Sequence, residues 1–213
     1  MDANFWHDKW AAQEIGFHQS IPNPHLVQFS STLKLKPEDQ VLVPLCGKTN
    51  DIGWFLNQGQ KICGVELNES AVQALFESLE TPPQIEEMAS LKCYQCKNLK
   101  VLVGDIFNVT PDMLGPVQAV YDRAALVALP PAMRIRYTEH LRSLSHHAQQ
   151  LLITFEYDQN VMAGPPHSVP DDEVRQHYGL HYKIHRLAEE AVAGGLKKTT
   201  PANEVVWHLD PSK

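Results

Sequence analysis

The stretch from Val41 to Glu66, VLVPLCGKTNDIGWFLNQGQKICGVE, limits the folds open to this chain more than any other. A short apolar run, Val41-Leu42-Val43, leads into a tight turn, Pro44-Leu45-Cys46-Gly47. Apolar residues at helical spacing follow, Ile52, Phe55 and Leu56, and a second apolar run from Ile62 to Val65 ends in an acid, Glu66. Strand, turn, helix, strand and acid make up the βαβ unit of a doubly wound nucleotide-binding sheet. The turn brings backbone amides and the positive end of a helix dipole to a ligand. A carboxylate ending the second strand accepts hydrogen bonds from both hydroxyls of a ribose.

The unit departs from the dinucleotide pattern. A pyrophosphate site wants G-x-G-x-x-G after the first strand. Here the turn holds one glycine, Gly47, and Pro44 and Leu45 stand where bare backbone would be needed. The residues therefore point to a nucleoside without a pyrophosphate. S-adenosylmethionine fits, with its adenine, ribose and amino-acid tail. The alternative is a βαβ unit that binds nothing at this edge, its acid merely solvated.

At 213 residues, the chain suits a single domain, 1–213, that folds unaided. A formal net charge of −7 with no basic cluster argues against nucleic acid and anionic membranes as partners. No apolar run approaches the ~20 residues that span a bilayer. The start, MDANFWHDKW, lacks the pattern of a signal peptide, so a cytoplasmic setting is expected. The four cysteines, Cys46, Cys63, Cys93 and Cys96, suit a reducing compartment.

Along the chain, Phe5, Trp6, Trp10 and Phe17 crowd an N-terminal segment with helix-like spacing. Together with a helix over residues 25–33 it forms a cover, 1–33, read either as a lid over the nucleoside site or as a permanently docked aromatic helix. Val72, Leu75, Phe76 and Leu79 predict an amphipathic helix capped by Asn68. Residues 80–98, polar and broken by Pro82-Pro83, read as an insertion whose Cys93 and Cys96 are ordinary loop cysteines, because no second ligand pair follows. No metal site is expected. Strands are predicted at 99–103, 117–121 and 151–155, helices around Met133 to Leu144 and over 171–178, and an alternating antiparallel pair at the end of the chain. The expected fold class is α/β, a Rossmann-like, doubly wound and mostly parallel seven-stranded sheet with an antiparallel C-terminal pair. Strand ends at Leu45–Gly47, Glu66, Asp105-Ile106 and Asp122-Arg123 are expected to meet at one edge, where ligands bind in open α/β sheets.

The runs F-W-x-x-K-W-x-x-x-x-x-G-F-H-Q at 5–19, V-P-L-C-G-K at 43–48, G-V-E at 64–66, D-R-A-A-L-V-A-L at 122–129 and G-P-P-x-x-V-P at 164–170 resemble the thiopurine S-methyltransferase family. The resemblance spans nearly the whole chain, though loosely at 80–98 and 186–203. It implies a class I methyltransferase fold that uses S-adenosyl-L-methionine and releases S-adenosyl-L-homocysteine. By matching positions it implies cofactor-binding roles for Trp10 and Leu45 at the methionine end, Glu66 at the ribose, Ile106 beside the adenine, and Arg123. It places Phe17 in the acceptor pocket. The acceptor it implies is the sulfur of a small aromatic or heterocyclic thiol. Selenium or tellurium compounds are an alternative, because bacterial-looking members are associated with tellurite resistance. An NAD-dependent oxidoreductase and a non-catalytic cofactor-binding module are the readings from other classes. A monomer is expected.

No Ser-His-Asp or Cys-His constellation is visible, and the catalytic residue is left unassigned. Asp122 is the nearest general-base candidate by position, set against a structural acid at a helix start. Cys46 stands where a helix N-terminus favours a thiolate, set against a packing role in the turn.

Overall fold

A computed structural model describes residues 3–16 and 18–212. Nine strands form one sheet in the order β3-β4-β5-β2-β1-β6-β7-β9-β8. The strands are β1 (Gln40–Pro44), β2 (Lys61–Glu66), β3 (Gln84–Met88), β4 (Leu91–Cys96), β5 (Leu99–Val103), β6 (Ala119–Arg123), β7 (Gln149–Glu156), β8 (Tyr182–Ala191) and β9 (Asn203–Pro211). The five central strands, β5, β2, β1, β6 and β7, pair in parallel. An antiparallel hairpin extends each edge, β3-β4 beside β5 and β8-β9 beside β7. Because β1 lies between β2 and β6, the order of connections reverses there, and the carboxyl ends of these strands frame a crevice.

Alternation along the central strands divides the apolar residues between two cores. Leu42, Val65, Val120 and Leu152 face one side, under α6 (Pro131–Leu144) and α7 (Asp171–Tyr178). Val41, Val43, Ile62 and Tyr121 face the other, under α2 (Pro24–Phe29), α3 (Asn50–Asn57) and α4 (Glu69–Ser78). Asn68 caps α4 by accepting from Ala71 N, as its sequence position predicts. The two remaining helices are α1 (Ala3–Ala11), which lies against the crevice, and the single turn α5 (Pro111–Leu114). Among the described residues, no helix is long and apolar enough to cross a membrane, and no cluster of His, Cys, Asp and Glu is arranged to hold a metal.

The sheet has nine strands where seven are predicted. The difference is the segment 80–98, which is a hairpin rather than a loop insertion. β3 is exposed along almost its whole length and is held to β4 through backbone pairing, so it has no apolar pattern to reveal it. Glu86 and Glu87 on this outer strand hinder pairing with another chain. Cys93 and Cys96 are strand residues rather than loop residues. Three positions apart on β4, they face opposite sides of the sheet, one in each core. The cover differs too. α1 ends at Ala11, and the predicted helix over 25–33 is α2 followed by a 3₁₀ turn, Ser30–Leu33.

Candidate active site

The turn after β1 is built for close approach. Leu45 (φ 48°) and Gly47 (φ 52°) both adopt left-handed backbone, which reverses the chain within three residues. Cys46 N donates to Val65 O at 3.0 Å, so the turn folds back onto β2. Gly64 makes room for it: a Cβ there would lie 2.9 Å from Cys46 Sγ. The Cys46 side chain is buried, and burial pushes its thiol well above the usual range. It packs the turn, against Gly64.

Glu66 ties this turn to the next. One carboxylate oxygen accepts from Gly47 N and the other from Asn68 N, both at 2.8 Å. Burial raises its pKa, and backbone N–H groups of Asn68, Gly47 and Leu67 act against that rise. Each oxygen keeps a lone pair for a further donor. Gly104 N donates to Glu66 O at 2.8 Å, which brings the end of β5 alongside. Beyond it, Asp105 Oδ1 accepts from Phe107 N and begins a 3₁₀ turn, Ile106–Asn108. His140 of α6 bonds Ile106 O at 2.8 Å, and the Arg136 guanidinium lies 4.5 Å from the centre of the Phe107 ring. These contacts fix Ile106 at the rim.

The opposite end of the cleft is polar. Asp51, 1% exposed in the first turn of α3, accepts from Asn23 N at 2.7 Å and from Tyr121 Oη at 3.0 Å. Asn50 Nδ2 donates to Gln19 O at 2.7 Å, so the chain ahead of α2 is fastened to α3. Lys48, His18 and Arg123 gather here. The His18 imidazole is held below its ordinary pKa, first by partial burial, then by the nearby charges of Lys48 and Arg123, with Asp51 opposing. α1 closes the site: Trp6 and Trp10, one helical turn apart, both line the cleft, Trp10 is buried, and His7 Nδ1 meets Asn68 Nδ2 at 3.1 Å.

The cleft so formed has a void of about 1190 Å³ out to its open mouth. Trp10, Leu45, Glu66, Ile106 and Arg123, the five residues expected to hold a cofactor, all line it. Phe17, the expected acceptor contact, lies outside the described residues. Asp122 does not line the cleft. It is fully buried, accepting from Leu126 N at 3.1 Å and from Tyr137 Oη at 2.6 Å, with its carboxyl pushed up to about 6 by burial. It is a structural acid. His18, Lys48, Asp51 and Tyr121 also line the cleft, without an expected role. His18 and Lys48 lie within the runs at 5–19 and 43–48 that carry the resemblance, and Tyr121 is a hydroxyl inside an apolar strand that must find a partner.

A parallel sheet with its ligand cleft at the β1/β6 reversal and an acid ending β2 defines the class: this is the fold of S-adenosylmethionine-dependent methyltransferases. A Burkholderia thailandensis 1,6-didemethyltoxoflavin-N1-methyltransferase, solved with 1,6-didemethyltoxoflavin and S-adenosylhomocysteine, has this fold with a TM-score of 0.65. It is 13% identical, with 98% of this chain and 86% of that one aligned. The chain belongs to the thiopurine S-methyltransferase family, whose sequence profile matches residues 1–208. A thiopurine S-methyltransferase of Teredinibacter turnerae is 50% identical over 209 residues, covering 98% of this chain and 97% of its relative. One from Xanthobacter autotrophicus is 46% identical over 211 residues, covering 99% of both. The protein is thus an S-adenosylmethionine-dependent methyltransferase, and the oxidoreductase and non-catalytic readings are not favoured.

Proposed function

We propose that this enzyme transfers the methyl group of S-adenosylmethionine to the sulfur of a small aromatic or heterocyclic thiol, in a cleft organised as follows. Glu66 accepts the ribose hydroxyls through the lone pairs that its backbone partners leave open. Ile106 lies against the adenine. Trp10 and the backbone at Leu45 take the amino-acid end, and Arg123 completes the set. The observation that carries this reading is the convergence of these five residues, from four strand ends and α1, on one cleft. The donor set suits the group. A buried carboxylate with open lone pairs matches a diol, and aromatic faces match a sulfonium.

The cofactor supplies an electrophilic methyl carbon. The chain's own contribution is position and environment. The sulfonium's charge disappears as its methyl leaves, so a water-poor wall of Trp6, Trp10, Leu45, Leu129 and Met133 favours the transition state over the ground state. Holding the acceptor sulfur in line with the methyl group supplies much of the remainder. Soft, polarisable selenium and tellurium nucleophiles satisfy the same requirements and belong in the same assay.

The test pairs calorimetry with turnover. S-adenosylhomocysteine should bind at micromolar concentrations and NAD should not. Labelled methyl should pass to thiols ahead of amines and alcohols. Binding of NAD without S-adenosylhomocysteine, or methylation confined to nitrogen or oxygen, would overturn the reading.

A further inference from the structure

The cleft has more ionisable groups than cofactor binding uses, and their hydrogen bonds separate them. Glu66 has both oxygens bonded to backbone amides at the ribose position. Asp51 has one oxygen on Asn23 N and the other on Tyr121 Oη. Asp105 caps the turn that carries Ile106, on the adenine side. Cys46 and Tyr121 are buried, and burial holds both protonated. Lys48 and Arg123 are cations with no proton-accepting lone pair at neutral pH. His18 remains. It is half-buried, it lines the cleft, and among the described residues no hydrogen bond engages its ring nitrogens. Its backbone is fixed, because His18 N donates to Ile15 O at 2.8 Å and the next residue is anchored by Asn50.

We propose that His18 is the base that receives the acceptor thiol's proton. The proposal rests on the reading of this cleft as a thiol S-methylation site. As the thiol S–H bond breaks, its proton goes to a ring nitrogen of His18. The sulfur's electron pair forms the new bond to the methyl carbon, and the pair of the broken methyl–sulfonium bond stays on the donor sulfur. The positive charge of the sulfonium thus ends on an imidazolium. The groups facing His18 suit both halves of this cycle. Partial burial first, then Lys48 from the turn after β1 and Arg123 from the end of β6, favour the neutral ring, which is the form that accepts a proton. The same two cations then drive the proton off to solvent. Asp51 from α3 acts in the opposite sense, but its carboxylate is already engaged by Asn23 and Tyr121.

A base matters only for acceptors that arrive with their proton, and this gives the test. Two thiols are compared at pH 7: a nitro-substituted aryl thiol, already ionised, and an arylmethyl thiol, still protonated. His18→Gln should lower kcat/KM for the protonated thiol about 100-fold, within the usual range for a positioned base, and leave the ionised thiol within a few-fold of wild type. His18→Ala should behave alike and regain turnover of the protonated thiol on addition of free imidazole. A readout without turnover completes the set. In the dead-end complex with S-adenosylhomocysteine, the His18 ring resonances, assigned by their absence from both variants, should shift when the protonated thiol binds and its S–H donates to the ring, and unmoved resonances would count against the contact. Equal losses with both thiols, or no loss with either, would overturn the role of His18 while leaving S-methylation intact. A wild-type enzyme that methylates neither thiol would overturn the S-methylation reading and the proton role with it.

Discussion

Glu66→Gln is the most informative single change, because this carboxylate staples two turns and has a proposed binding task. Both of its oxygens lie 2.8 Å from backbone N–H groups, of Gly47 and Asn68, in a site only 6% exposed. An amide supplies one acceptor oxygen and one NH₂, so one of the two N–H groups would face another donor. Losing a hydrogen bond to a charged acceptor costs about 1.5–3 kcal/mol, and a buried N–H left unsatisfied costs a further 1–3 kcal/mol. Removing a carboxylate that burial disfavours offsets part of this. The net loss of folding stability should be roughly 1–3 kcal/mol, read from urea unfolding without ligand. In the proposed site the ribose would lose one of its two charged acceptors as well, so S-adenosylhomocysteine affinity should fall by a further 1–3 kcal/mol, or about 5- to 150-fold by calorimetry. The rate at saturating cofactor should change much less, because the group acts at the ribose. Lower stability with unchanged affinity would leave Glu66 as a turn staple and refute its ribose role. Unchanged stability would refute the staple.

Two further outcomes follow from the buried acid and from α1. Because Asp122 is raised from 3.8 to about 6, its stabilising contribution is complete below pH 4 and is lost as pH rises through 6. Asp122→Asn should therefore gain about 3 kcal/mol relative to wild type between pH 4 and pH 7 in paired urea titrations, and parallel curves would disprove the shift. α1 touches the body through Trp10 and through the His7–Asn68 contact, so its amides should exchange quickly in the free protein and slowly with S-adenosylhomocysteine bound. Equal protection in both states would identify a permanently docked helix instead of a lid.

The βαβ unit was legible in the residues, because continuous apolar runs ending in a turn glycine and an acid have few other folds. The sequence also determined α4 with its Asn68 cap, α7, and the meeting of Leu45, Glu66, Ile106 and Arg123, because strand ends in a parallel sheet must meet at one edge, whereas Trp10 on α1 was indicated by the family resemblance. The β3-β4 hairpin could not be read that way. β3 is exposed on both faces everywhere but at Met88, so its pairing rests on the backbone and leaves almost no period in the side chains. The ionisable groups were equally silent. Asp51, Asp105, Asp122 and Glu66 are all acids close to strand or helix ends in the sequence. Tertiary structure alone engages Asp51 with Tyr121, 70 residues away, and buries Asp122 against Tyr137. The same holds for His18, whose imidazole is held below its ordinary pKa by partial burial and then by Lys48 and Arg123, which arrive from two different strand ends. What a titratable side chain does is set by its dielectric surroundings and its neighbours' charges, and folding brings those together from distant parts of the chain.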